Sequence, residues 1–131
     1  MKYPKFLNEK YNTIGVCAMS SGVGHKLDSF DASIEYIESN GFHIVETASV
    51  RNNSEPSIDA KTRVDELNAL VNDSSVGAVW LAAGGDFQFE TLPYIDFDWI
   101  EKNPKWYLGA SDPTNLLFPI PKPWSPFSFK M

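Results

Sequence analysis

A single cysteine, Cys17, in 131 residues cannot close an internal disulfide, which suits a reducing compartment, and a cytoplasmic setting is expected. Apolar runs are short, and none approaches the roughly 20 residues that a membrane-spanning helix needs. The opening residues, Met-Lys-Tyr-Pro-Lys-Phe-Leu-Asn-Glu-Lys, lack the apolar stretch of a secretory signal. Clusters of Lys and Arg are missing too. The net charge is −6 with the acids scattered, which argues against nucleic acid or an anionic membrane as partner. There are only two histidines, His25 and His43, with no cysteine or second histidine at ligand spacing, so no metal is expected. What is present is 43% apolar and 14% aromatic residues, enough to exclude disorder by composition and to build one core.

The elements alternate along the chain. Residues 1–11 read as an arm. Thr13–Met19 is a short apolar run, consistent with a buried strand in which Cys17 is a small core residue. Asp28–Asn40 carries Phe30, Ile34 and Ile37 at helical spacing, with Asp28 or Ser29 as cap and Asn40-Gly41 as a left-handed stop. Phe42–Thr47 alternates as a second strand, and 48–56 is polar and turn-rich, a surface connection. Ile58–Asn72 is a second helix with Val64, Leu67, Leu70 and Val71 on one face, capped by Ser57 or Asp59. Gly77–Ala83 is continuously apolar, as in a strand covered on both faces. A short helix over Phe87–Leu92 and another over Asp96–Asn103, with Phe97, Trp99 and Ile100 inward, precede a strand that starts after Pro104. This order predicts an α/β fold, a mostly parallel sheet with helices on both faces, in a flavodoxin-like or class I glutamine amidotransferase-like layer sandwich.

Three loops should then gather beyond the C-terminal strand ends, where such sheets form their sites. The loop Ser20-Ser21-Gly22-Val23-Gly24-His25 begins like a dinucleotide fingerprint but has Leu27 in place of the third glycine, so no nucleotide cofactor is expected. Gly84-Gly85-Asp86 either is a plain tight turn or lets the backbone approach something closely with its N–H groups free. In Lys105–Thr114 an apolar run meets Gly109, Ala110 and Ser111 before Asp112, Pro113 and Thr114 open a helix. Local chemistry alone leaves Ser111 as a helix cap or as a hydroxyl held out over a sheet end. With the three loops converging, Ser111 is a candidate nucleophile, and the Gly85 and Asp112 N–H groups are natural oxyanion donors. Ser20, Ser21, Gly84 and Asp86 are the expected lining.

Four segments resemble, in order and spacing, the N-terminal domain of the LD-carboxypeptidase family of serine peptidases, which includes the microcin C immunity peptidases. They are Thr13–Gly22, Arg63–Trp80, Gly84-Gly85 with Leu92–Pro104, and Leu108–Thr114, together most of residues 13–118. The resemblance implies that Ser111 is the nucleophile of a Ser-Glu-His triad, with the Gly85 and Asp112 amides in the oxyanion hole. It implies cleavage of an amide next to a C-terminal residue, in a cytoplasmic cell-wall tetrapeptide or a peptidyl or aminoacyl nucleotide. It implies no metal or other cofactor, and a homodimer.

Two features depart from the family. Ala110 stands where an aromatic residue is usual. Pro119, Pro121, Pro123 and Pro126 crowd the end, so the helix opened at Pro113 should stop near Phe118, and residues 119–131 read as a tail unlike the family. Neither His25 nor His43 matches the family's base, and Glu90 does not match its acid. The expectation is an N-terminal domain over residues 1–118 without the catalytic second domain, inactive alone, for which a serine hydroxyl has no activating base. The alternative is a binding or structural module on the same fold that has lost the chemistry.

Overall fold

The computed structural model describes residues 3–120. The proline-rich tail therefore lies, from residue 121 onward, outside the described residues. Four strands, β1 (Thr13–Cys17), β2 (His43–Glu46), β3 (Val76–Leu81) and β4 (Trp106–Leu108), form one parallel sheet in the order β2-β1-β3-β4. The chain leaves β1 toward one edge and later returns to β3 on its other side. That reversal puts a crevice beyond the C-terminal ends of β1 and β3.

Side chains alternate across each strand, and this sorts the core into two layers. Val16 and Ala18 face the first layer with Val23, Phe30, Val50 and Ala82, while Cys17 and Met19 face the second with Val64, Leu67, Leu70 and Val71. Helix α1 (Leu27–Ser39) covers the first layer and α2 (Ala60–Asn72) the second, with Ile100 of α3 (Phe97–Lys102) and Leu116 of α4 (Thr114–Leu117) joining α2. Phe30 and Trp80 pack ring against ring at 5.5 Å across the first layer. Burial in the second layer pushes the Cys17 thiol well above its ordinary value, with the Glu66 carboxylate adding to the effect, as suits a core residue.

Local chemistry sets the ends. Asp59 caps α2 by accepting from the Thr62 N–H at 2.9 Å, and Gly41, at φ +89°, stops α1 with its N–H on the Glu38 carbonyl. Three expectations are corrected. Neither Asp28 nor Ser29 caps α1, because a 3-10 turn over Gly24–Lys26 runs directly into it, and no side chain caps that end. Trp99 is 40% exposed, because the single turn and a half of α3 turns only Ile100 fully inward. The 48–56 connection is not wholly superficial, since Ser49 and Val50 are buried. Ser49 is held there by the Glu66 carboxylate, which accepts from its N–H at 3.1 Å and from its hydroxyl at 2.5 Å.

The arm is tied to the sheet. Tyr11 donates its hydroxyl to the Val76 carbonyl, and the Trp106 indole donates to the Lys5 carbonyl at 2.8 Å. No helix among the described residues is long and apolar enough to cross a membrane.

Leu67 has no exposed surface and Val45 is 44% exposed. Leu67→Ala should therefore lower the unfolding free energy by about 2–5 kcal/mol, and Val45→Ala by under about 1 kcal/mol. Urea denaturation followed by tryptophan fluorescence reads both.

Candidate active site

The three loops meet beyond the strand ends, and backbone and side-chain hydrogen bonds lock them together. The Ser21 N–H donates to the Gly84 carbonyl at 3.1 Å, joining the loop after β1 to the loop after β3. The Ser20 hydroxyl donates to Asp112 Oδ2 at 2.5 Å and accepts from the Phe87 N–H at 3.0 Å, so it touches both of the other loops. Asp112 Oδ2 accepts again from the Gln88 N–H at 2.9 Å, and Oδ1 accepts from Asn115 at 2.9 Å.

Ser111 sits on the turn between β4 and α4 at φ +65°, a left-handed conformation that costs a residue with a side chain on the order of 1–3 kcal/mol. Helical bonding begins at this residue, with the Thr114 N–H on the Ser111 carbonyl and the Asn115 N–H on that of Asp112. The side chain is exposed, and its hydroxyl makes no hydrogen bond within the described residues. The backbone N–H groups of Gly85 and Asp112 likewise donate to nothing within the described residues.

The double glycine has a steric reason in both places. A Cβ on Gly84 would stand 3.3 Å from Ser111 Oγ and 3.2 Å from its Cβ. Gly85 has φ +140°, and a Cβ there would lie 2.5 Å from Ser20 Oγ and collide with Ser21 Oγ. Close approach is what the packing demands at Gly85, while at Gly84 a Cβ would crowd the Ser111 side chain.

Beneath the loops lies Arg63, fully buried on α2. Its Nη1 donates to the Met19 carbonyl at 2.8 Å and the Phe87 carbonyl at 2.9 Å, and its Nη2 to Glu90 Oε2 at 2.7 Å. Sequence reasoning gave it no structural role, although Arg63, Leu67 and Leu70 fall at i, i+4 and i+7 of one helix stripe. Asp86, expected as lining, is exposed and makes no hydrogen bond or ion pair within the described residues. His43 pairs with Thr13, at the opposite end of the sheet from Ser111. No group of three or more His, Cys, Asp or Glu that could hold a metal ion occurs among the described residues.

A parallel sheet in this order, with an exposed serine on a strained strand-to-helix turn and two unused amides at Gly85 and Asp112, defines an α/β protein of the layer-sandwich class. Comparison with known proteins makes the assignment specific. The model of the LD-carboxypeptidase N-terminal domain matches residues 14–127, and the chain belongs to that family. It is 33% identical over 92 residues to a Vibrio cholerae protein provisionally named a carboxypeptidase, and 33% identical over 89 residues to the Escherichia coli microcin C7 self-immunity protein MccF. These alignments take in 70% and 67% of this chain but only 28% and 26% of the relatives, so the chain spans about a third of their length or less. The solved structure of MccF with aspartyl sulfamoyl adenosine superposes with a TM-score of 0.81 at 29% identity, covering 90% of this chain and 35% of MccF. An MccF-like protein from Bacillus anthracis gives 0.82 at 26% identity, covering 92% of this chain and 37% of that one.

Burial works to raise the Asp112 pKa, but the hydrogen bonds from Ser20, the Gln88 N–H and Asn115 outweigh it and hold the carboxyl below the usual carboxylate range. The unfolded chain therefore binds this proton more readily than the folded one. The stabilisation is complete above the unfolded pKa and is lost as pH falls through the folded value. Between about pH 5 and pH 2 the urea midpoint of the wild type should fall more steeply than that of Asp112→Asn; parallel profiles would contradict this.

Proposed function

We propose that this chain is the nucleophile-bearing domain of a serine carboxypeptidase that cleaves an amide next to a C-terminal residue. The observation that carries the reading is Ser111 itself, exposed at φ +65° beside two unused amide donors. Ser111 Oγ attacks the scissile carbonyl carbon, and the Gly85 and Asp112 N–H groups receive the oxyanion as it forms. A base takes the hydroxyl proton and returns it to the departing amine, and water then releases the acyl group.

The base and its orienting acid come from outside residues 1–131. His43 stands at the wrong end of the sheet, and His25 makes no hydrogen bond to Ser111. The nucleophile-bearing domain is taken to cover residues 1–118, and the family match runs on to residue 127. The substrate class is a cytoplasmic cell-wall tetrapeptide or a peptidyl nucleotide, the latter supported by the sulfamoyl nucleosides bound in the MccF structures. Self-association of the homodimer type is supported by Leu108, an apolar residue 46% exposed on the edge strand β4.

Incubated alone with an LD-tetrapeptide, the chain should give negligible turnover. Supplied in trans with the C-terminal two-thirds of a family member, it should gain turnover that Ser111→Ala abolishes, read by release of the terminal amino acid. Turnover by the chain alone that disappears in Ser111→Ala would show that the base lies within it.

A further inference from the structure

Beside the double glycine lies a cavity of about 400 Å³ that the proposed chemistry leaves unassigned. Gly84 and Gly85 line it, and Gly84 also packs against Ser111, whose Oγ would stand 3.3 Å from a Cβ at that glycine. Phe30 and Trp80 supply an apolar floor. Ser21 also lines it and is only 2% exposed, yet its hydroxyl has no hydrogen-bond partner among the described residues. An unpartnered buried hydroxyl costs about 1–3 kcal/mol, which a ligand's polar group would recover.

The rim is charged in a restricted way. Lys26 immediately precedes α1 and makes no ion pair among the described residues. Ser29 adds a hydroxyl from the first turn of that 13-residue helix, whose start no side chain caps and whose dipole favours negative charge. Glu55 is the one carboxylate on the lining. Lys26, His25 and Glu55 on the lining, with Asp28 in the first turn of α1, suit a single carboxylate on an otherwise neutral or cationic residue and disfavour a polyphosphate.

We propose that this cavity is the subsite for the terminal residue of a peptide substrate, its floor taking the side chain and Lys26 with the first turn of α1 taking the free carboxylate. The assignment rests on the carboxypeptidase reading, which requires a group that distinguishes a chain end from an internal peptide bond. Ser21 then donates to the bound peptide next to the amide that Ser111 attacks.

Amide chemical shifts of the 131-residue chain, titrated with N-acetyl-L-alanyl-D-alanine and with its C-terminal amide, test this. The free acid should shift Ser21, Ser29 and Gly85 and bind about tenfold tighter than the amide. Lys26→Gln, on an exposed side chain, should remove that advantage and leave the amide's weak binding unchanged. Equal binding of the two forms, no effect of Lys26→Gln, no shift at the cavity, or stronger displacement of the same signals by adenosine monophosphate would each overturn the proposal. Reactivity of Ser111 toward a fluorophosphonate, with the C-terminal portion of a relative added, is scored separately. Carboxylate-dependent binding with an inert serine sinks the nucleophile reading and keeps the subsite; a reactive serine without such binding does the reverse.

Discussion

The hydrogen bond from the Ser20 hydroxyl to the Asp112 carboxylate is the constraint around which the strand ends are arranged. It joins the loops after β1 and β4, strands that are not neighbours in the sheet, across the loop after β3. A hydroxyl can donate and accept at once, and a carboxylate can accept several times. That is why one serine and one aspartate can hold three segments, with the Phe87 and Gln88 N–H groups filling their remaining capacity. The turn carrying Ser111 is therefore clamped at the adjacent residue. A left-handed serine persists only where its surroundings over-determine it, and here they do.

A second clamp works from below. Burying the Arg63 guanidinium is costly unless its donors are filled, and the Met19 and Phe87 carbonyls and Glu90 take three of its N–H groups, while Nε has no partner among the described residues. The same side chain thereby fixes the ends of two loops against α2. The same packing explains why Gly85 cannot carry a side chain and why Gly84 has little room for one. The space that a Cβ would need at Gly85 is taken by Ser20 and Ser21, and at Gly84 it borders Ser111.

Much of this was legible in advance. Buried strands read as continuous apolar runs, and the helices read from Val64-Leu67-Leu70-Val71 and Phe30-Ile34-Ile37. Asp59 and Gly41 act where their chemistry predicts. The differences have two causes, the local geometry of short elements and neighbours far away in the chain. The start of α1 was misread because the preceding turn runs into it, and Trp99 because α3 is too short to turn more than one residue fully inward. Ser49 and Val50 are buried because Glu66, 17 residues on, holds Ser49 in place. Arg63 lay on the right stripe, but an arginine there says nothing of the carbonyls it will meet.

Periodicity and strand–helix alternation by themselves determined the parallel α/β sheet, since both are properties of consecutive residues. They also determined that Ser111 would stand on a strand-to-helix turn, because Gly109 to Thr114 carries that geometry locally. Only the tertiary structure decided that the turn would be left-handed at the serine, that Gly85 and Asp112 would keep their amides unused, and that Ser21 would be left without a partner. Those outcomes arise where segments 24 to 92 residues apart are brought together by hydrogen bonds such as Gln88 to Asp112 and Ser20 to Asp112, and no stretch of sequence carries both halves of such a bond.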